Sequence, residues 1–467
     1  MTIVDKTNYK KYLLDNEVDC RWQKRDFVSE LEKYMDSSLN KVLLVSGLKG
    51  TGKSIGVLQA MQGRNAACIV LRQGVSVSAE DLVQALSVRK ETIIVVDGCD
   101  LVQDRRNTVL VEFFYRLVSR GKRVIITGSK PLCLEALKIG PLAHRTITLH
   151  TTYVSFSEYC RLYNKPMVLS VCRKYLVHGS DLREVTARDK CVIVDYVKDM
   201  VVTDLREFVC NREKLLDTTK ISNIMRVLVC KVVLDLAHCD SKFLQNRTAV
   251  SMQAILEKLS ITLKSIQISS SDIETVVDLL CRIGVLVKIP NLLGKTGSSQ
   301  YELFNGYRVF VVDSSLAYWI ATIAFTDCGV DSILDLVYKA NCAVDLYFRK
   351  QAIDTVYCIE LEEADSYGNV IIISSNDDYR KKQFYLFECR YQSVVSVGCE
   401  SLLVTSDKLN EVLKNKFPDS EVCGRFIIHP GNSDWQKCRN GTEVAIVNQD
   451  DTLYKYYKFD ELRECVE

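Results

Sequence analysis

Residues 47 to 54 read Gly47-Leu48-Lys49-Gly50-Thr51-Gly52-Lys53-Ser54, and residue types at these spacings suit the cradling of phosphates. Gly47, Gly50 and Gly52 permit backbone angles that a Cβ resists, so successive amide N–H groups can turn inward around an anion. Lys53 is placed to reach the outer phosphates of a nucleoside triphosphate, and the Ser54 hydroxyl to hold Mg²⁺. The flanks supply the required setting. Val42-Leu43-Leu44-Val45 is a short apolar run suited to a buried strand, while Ile55, Leu58 and Met61 continue at near-helical spacing. The loop therefore joins a strand end to a helix start, whose positive pole favours an anion.

A second acid-bearing segment fits the same chemistry. Ile93-Ile94-Val95-Val96-Asp97 is four apolar residues and then aspartate, so Asp97 at the carboxyl end of a strand would bind Mg²⁺ through its water shell. Asp100 is the next carboxylate, a candidate for orienting or deprotonating the attacking water, with a helix cap as the alternative. The strand Arg123-Val124-Ile125-Ile126 ends in Thr127-Gly128-Ser129. If that strand lies between the loop strand and the Asp97 strand, Thr127 can sense the γ-phosphate; otherwise the tripeptide is a turn. Arg145, at the last strand of this region, could stabilise γ-phosphate charge in cis or from a neighbouring subunit, or be a surface arginine.

These residues need a sheet to hold them. Apolar strands at Val42 to Val45, Ala67 to Leu71, Ile93 to Val96, Val124 to Ile126 and Thr146 to Leu149 are mostly separated by helix-length segments. That alternation predicts an α/β fold, a parallel sheet with helices on both faces. The chain of 467 residues, 47% hydrophobic and 26% charged, has room for roughly three domains. A formal charge of +2 gives no whole-chain attraction to nucleic acid, so any such contact must be local. The 19 cysteines form no C-x-x-C pair and sit inside apolar runs, which fits reduced buried thiols. Five histidines do not join them at ligand spacing, which argues against a structural metal. The N-terminus lacks the apolar stretch of a signal peptide, so a cytoplasmic location is expected. Val309 to Phe325 is interrupted by Asp313 and too short to span a bilayer, and is read as a buried strand running into a helix, with no membrane partner expected.

In order and spacing, Gly47 to Ser54, Val95-Val96-Asp97, Ile125 to Ser129, Leu142-Ala143-His144-Arg145 and Ser155-Phe156-Ser157-Glu158-Tyr159 resemble the bacterial and archaeal AAA-type ATPases with a C-terminal domain of uncharacterised function. The resemblance implies a P-loop NTPase core with ATP and Mg²⁺ as ligands, ATP hydrolysis, and a role for Arg25-Asp26 in seating the adenine. Two departures matter. The usual Walker B acid pair is Asp97-Gly98 here, which removes the expected water-activating glutamate, and the glycine before the arginine is His144. The D-G-x-D form resembles the signal-transducing STAND branch, with the acid three residues on at Asp100, and implies slow hydrolysis.

Beyond the core, Leu215 to Val287 reads as largely helical, with Val227, Leu228, Val232, Val233, Leu234 and Leu236 on one buried helix. Met252 to Leu259 and a helix opening at Ser271-Asp272-Ile273-Glu274 form a helix-turn-helix pattern, with Val285 to Pro290 and Tyr301 to Phe304 as the wing. The second helix carries Asp272, Glu274 and Asp278 against one Arg282, so DNA reading is possible but a structural or regulatory role is favoured. The last third resembles a PD-(D/E)xK nuclease-like α+β domain, entered at Val309 to Tyr318. Its E-x-K is Glu388-Cys389-Arg390 here, with Asp377 or Asp378 as candidate second acid. Arginine stays protonated and is a poor substitute for that lysine, so nuclease activity is not expected. The expected organisation is an N-terminal helical segment over 1–38, the ATPase core over 39–160, a helical lid or linker over 161–214, a winged-helix-like domain over 215–308 and the degenerate nuclease-like domain over 309–467. The function expected is an ATP-dependent switch with a protein partner or self-association; the alternative is an ATP-regulated nucleic-acid-binding protein.

Overall fold

The computed structural model describes residues 1–16, 22–48, 50–72, 74, 76–102, 108–179, 218–239, 269–292, 306–326, 328–349, 354–359, 370–378, 381–391, 411, 413–415, 417–430, 434–437 and 443–448. Two compact units emerge, the first formed mainly by residues 1–154 and the second by 155–179 and most described residues beyond 222. The expected boundaries at 160/161 and 308/309 therefore cut through elements, a helix at Phe156–Leu162 and a strand at Tyr307–Val311.

The first unit is built on β1 (Thr2–Val4), α1 (Tyr9–Asp15), α2 (Phe27–Asp36), β2 (Val42–Ser46), α3 (Lys53–Met61), β3 (Ala66–Val70), α4 (Ala79–Ser87), β4 (Ile93–Asp97), α5 (Thr108–Ser119), β5 (Arg123–Gly128), α6 (Pro131–Glu135) and β6 (Thr146–His150). Its sheet runs β1-β3-β4-β5-β2-β6, parallel except for β1, which lies antiparallel on β3 with Thr2 opposite Val70. The region expected to be an N-terminal helical segment thus begins with an edge strand. The central strands are apolar along most of their length because helices cover both faces, and turn polar at their carboxyl ends. Along β2 the alternation of side chains divides the core: Val42 and Leu44 pack with Leu82, Phe114 and Leu117 of α4 and α5, while Leu43 and Val45 pack with Phe27, Leu31 and Leu58 of α2 and α3. In α5 the residues Leu110, Val111, Phe114, Leu117 and Val118 are buried, the stripe a helix of 3.6 residues per turn presents to a sheet. Since parallel strands all end on one edge, the segments after β2, β4 and β5 converge there.

In the second unit, α7 (Phe156–Leu162) opens at Ser155, whose hydroxyl accepts from the Glu158 amide at 3.0 Å, and α8 (Leu169–His178) follows. Then come α9 (Thr218–Ala237), with the expected apolar residues buried, and α10 (Ser270–Arg282). The hairpin strand β7 (Leu286–Pro290) pairs antiparallel with β8 (Tyr307–Val311), Leu286 opposite Val311. The partner is thus 307–311; residues 301–304 and the expected first helix at 252–259 lie outside the described residues. Next are α11 (Ser314–Ala324), capped by the Asp313 carboxylate accepting from the Leu316 amide at 2.8 Å, and α12 (Val330–Arg349). A second sheet orders β9 (Thr355–Ile359), β10 (Val370–Asp378), β11 (Lys381–Cys389), β12 (Glu421–His429), β13 (Asp434–Lys437) and β14 (Glu443–Asn448) as β13-β14-β12-β11-β10-β9. No described helix is long and apolar enough to cross a membrane.

Candidate functional site

The phosphate loop leaves β2 after Ser46 and enters α3 at Lys53, and its glycines answer particular constraints. A Cβ on Gly47 would stand 2.2 Å from the Thr151 hydroxyl oxygen, so the loop passes too close to the end of β6 for any side chain there. Gly50 and Gly52 hold φ of 89° and 81°, the left-handed region. Lys49 lies outside the described residues. Leu48 and Thr51 are buried, and the Thr51 hydroxyl donates to the Leu48 carbonyl at 2.9 Å and shares a 2.8 Å hydrogen bond with Thr151.

Lys53 is buried under the loop, its ammonium donating to the carbonyls of Gly47 at 2.8 Å and Leu48 at 2.6 Å. Burial pushes this lysine down to about 8, partly opposed by the carboxylates of Asp100 and Asp97. The Ser54 hydroxyl donates to Asp97 Oδ1 at 3.0 Å, and the Thr127 hydroxyl donates to the same oxygen. Burial raises the Asp97 carboxyl above its ordinary range, while these two hydrogen bonds and Lys53 draw it back. Because β5 lies between β2 and β4, Thr127 stands at the strand tip that a sensing hydroxyl requires. A single helical turn over Cys99–Leu101 follows and folds Asp100 inward, 5% exposed, where Ser129 donates to it at 3.1 Å. Lys53, Ser54, Asp97, Thr127 and Asp100 therefore gather at one edge of one sheet. Ser54 and Asp97 are hard oxygen donors in contact, a pair suited to Mg²⁺, which takes few protein ligands alongside water and phosphate.

Gly98, which stands where a glutamate was expected, has φ of 84°, and a Cβ there would lie 3.0 Å from the Leu71 carbonyl. Restoring the acid by Gly98→Glu is therefore expected to cost about 1–3 kcal/mol in urea unfolding and to add no ATP turnover. A Gly98→Glu protein that is equally stable and hydrolyses faster would show that the backbone here is free to adapt.

Two residues occupy places that sequence alone could not assign. Arg25 is buried and donates to the carbonyls of Thr51 at 2.6 Å, Thr151 at 3.3 Å and Tyr153 at 2.8 Å. It braces the loop against the segment after β6, and an adenine contact is not among the roles these bonds describe. The Arg145 carbonyl accepts from the Val42 amide at 2.8 Å, which places Arg145 where β2 begins, while the phosphate loop starts where β2 ends. Four residues of strand, about 13 Å, separate the two edges, and Arg145 lies at the one away from the phosphate loop. Its guanidinium lies 5.3 Å from the Tyr115 ring centroid.

Among the described residues of the second unit, the candidate nuclease acids do not meet. Glu388 lies opposite Val370, whereas Asp378 lies opposite Lys381, at the other end of the same hairpin. Seven residues of strand, about 23 Å, put Asp377 and Asp378 out of reach of Glu388 as partner acids. Arg390 instead donates to Glu388 at 2.7 Å, with both side chains largely buried. On α10, Glu274 accepts from Lys288 at 2.6 Å and from the Tyr307 hydroxyl at 2.6 Å, and Asp278 lies 3.6 Å from Lys288. Glu274 and Asp278 are thus joined to the helix's own hairpin, while Asp272 caps the start of the helix by accepting from the Ser269 amide at 3.0 Å.

No family model matches the chain, and no curated protein matches it. Solved structures similar to it include the Walker-type ATPase of Pyrococcus abyssi, at 13% identity over 66% of this chain and 99% of that one, with a TM-score of 0.34. AMPPCP-bound DnaA from Aquifex aeolicus shares 15% identity over 60% of this chain and 94% of its own, with a TM-score of 0.25. The S. cerevisiae Hsp104–ADP complex shares 10% over 57% of this chain and 41% of its own, with a TM-score of 0.30. Likenesses this distant assign no activity; the first unit's loop and strand order establish a phosphate-loop nucleotide-binding fold.

Proposed function

We propose that the chain is an ATP-binding protein of AAA type that hydrolyses ATP slowly and works as a nucleotide-dependent switch. The observation that carries this reading is the convergence of Lys53, Ser54, Asp97, Thr127 and Asp100 at the carboxyl edge of β2, β4 and β5. Loop amides and Lys53 bind the phosphates, and Ser54 with Asp97 would hold Mg²⁺, which neutralises charge on the phosphate oxygens. Thr127 holds the Asp97 carboxylate in place from the neighbouring strand. Asp100 takes the role of the missing glutamate: its carboxylate accepts the proton of the attacking water. An acid reached through a helical turn, with Ser129 on one oxygen, is placed less directly than one on the strand, which accounts for slow turnover. Arg145 would act only on the nucleotide of a neighbouring copy, so self-association is part of the reading. The test is steady-state ATP hydrolysis with thermal unfolding in the same samples. ATP at about a hundred times its dissociation constant should add about 3 kcal/mol of stability; no stabilisation would sink the reading.

The buried ammonium makes binding sensitive to pH. An unfolded lysine titrates near 10.5 and the folded Lys53 near 8, so below about pH 8 its burial costs about 3 kcal/mol. Between about pH 8 and 10.5 the unfolded chain holds the extra proton, and stability of the unliganded protein rises with pH. Phosphate favours the charged form, so affinity for ATP should fall about tenfold per pH unit above about 8. Calorimetry in buffers of different ionisation enthalpy should detect proton uptake on binding at pH 9, and heats independent of buffer would contradict it.

A further inference from the structure

The N-terminal strand and helix are fastened to the sheet, and the start of the strand and the end of the helix reach the edge where the site lies. β1 pairs with β3 so that Thr2 lies opposite Val70, the last residue of that strand. Asp5 then meets Arg89 at 3.1 Å, and the Tyr9 hydroxyl of α1 donates to the Leu58 carbonyl of α3, the helix that begins at Lys53. Just beyond α1, the Asn16 side-chain oxygen accepts from the guanidinium of Arg72. Arg72 follows β3 by two residues, and β3 neighbours β4, with Val70 opposite Asp97 and the Leu71 amide donating to the Asp97 carbonyl at 2.9 Å. One strand spacing, about 4.8 Å, therefore separates the backbone before Arg72 from that of Asp97. Arg72 is exposed, and its charge and hydrogen bond act on Tyr12 of α1, whose phenol also feels the Asp97 carboxylate.

The exposed Arg72 guanidinium has a fork of donors, and the partners it meets, the Asn16 amide oxygen and the Tyr12 phenol, are neutral. A phosphate oxygen bears full charge and accepts bidentate pairs, so it outcompetes that amide. We propose that Arg72 binds the γ-phosphate of the bound nucleotide, leaving Asn16 to do so, and thereby links triphosphate occupancy to the seating of β1 and α1. This rests on the nucleotide reading above and extends it to the regulation of the same site. Arg72 contacts the terminal phosphate and is distinct from Lys53, which serves di- and triphosphate alike. The exchange breaks the contact between Asn16 and Arg72, which releases the end of α1 when triphosphate binds and restores it when the γ-phosphate departs.

The test compares binding of ADP and of a non-hydrolysable β,γ-methylene ATP analogue, both with Mg²⁺, by calorimetry on the full chain. Arg72→Ala should weaken the analogue about 10- to 100-fold and leave ADP within about threefold, because one charge-assisted contact is removed. Arg72→Lys should recover only part of the loss, since it lacks the fork. Asn16→Ala, which frees Arg72 from its competitor, should tighten the analogue about threefold. Hydrogen exchange over residues 9–15 should accelerate with the analogue but not with ADP, and Arg72→Ala should abolish the difference. Equal weakening of both ligands, or of neither, would overturn the proposal while leaving the phosphate loop standing. A wild-type protein that binds neither ligand would instead bring down the nucleotide reading itself.

Discussion

Replacing Lys53 with methionine is expected to give a folded protein that ATP no longer stabilises. Methionine keeps the length of the buried stem and removes a charge whose burial is unfavourable, so the unliganded melting temperature should be preserved or rise. Ligand response is another matter. In the unliganded protein the ammonium is held by the carbonyls of Gly47 and Leu48, close enough to the loop to transfer to phosphate without a change of fold. Charge-assisted hydrogen bonds to two phosphates are lost, which corresponds to about a hundredfold or more in affinity. Opposite signs on stability and binding set this expectation apart from ordinary damage. Thermal unfolding with and without Mg²⁺-ATP measures both, and retained stabilisation in Lys53→Met would remove the lysine from the site.

Asp100→Asn is expected to lower turnover about 10²- to 10⁴-fold while ATP binds within about threefold of wild type. Asparagine retains an oxygen to accept from Ser129 and nearly the same volume, so the turn over Cys99–Leu101 keeps its packing. What it loses is the capacity to take a proton. Asp97→Asn supplies the contrast: it should weaken ATP chiefly when Mg²⁺ is present, because Asp97 faces Ser54 and Thr127 and not the water. Single-turnover hydrolysis at saturating ATP distinguishes the two variants. Unimpaired chemistry in Asp100→Asn would mean that another group positions the water and that Asp100 is a structural cap.

The core strands were legible because their signals are local. Four apolar residues before Asp97 and the glycine spacing around Lys53 each name an element and its end without knowledge of any partner. What depends on partners was not. Arg145 sits beside a strand in sequence, but which edge it occupies follows from the direction of β6 relative to β2, and that is a property of the sheet. Arg25 resembles an adenine-seating arginine by its sequence neighbours, but its bonds to Thr151 and Tyr153 reach residues more than a hundred positions away, which no local pattern shows. Asp377 and Asp378 lie near Glu388 in sequence, yet the hairpin that joins β10 to β11 carries them to its far end. Arg72 and Asn16 had no motif to advertise them; only the three-residue β1, too short for any periodicity, brings them together.

The close approach of Gly47 to Thr151 has a mechanical meaning. Thr51 and Thr151 are joined side chain to side chain, and Arg25 grips the carbonyls on both sides of that joint. The segment that leaves the sheet here is therefore fastened to the phosphate loop as well as to the end of β2, where the Thr151 amide donates to the Ser46 carbonyl at 2.8 Å. A ligand that tightens the loop stiffens this fastening, and by reciprocity whatever pulls on the segment alters the grip on the ligand.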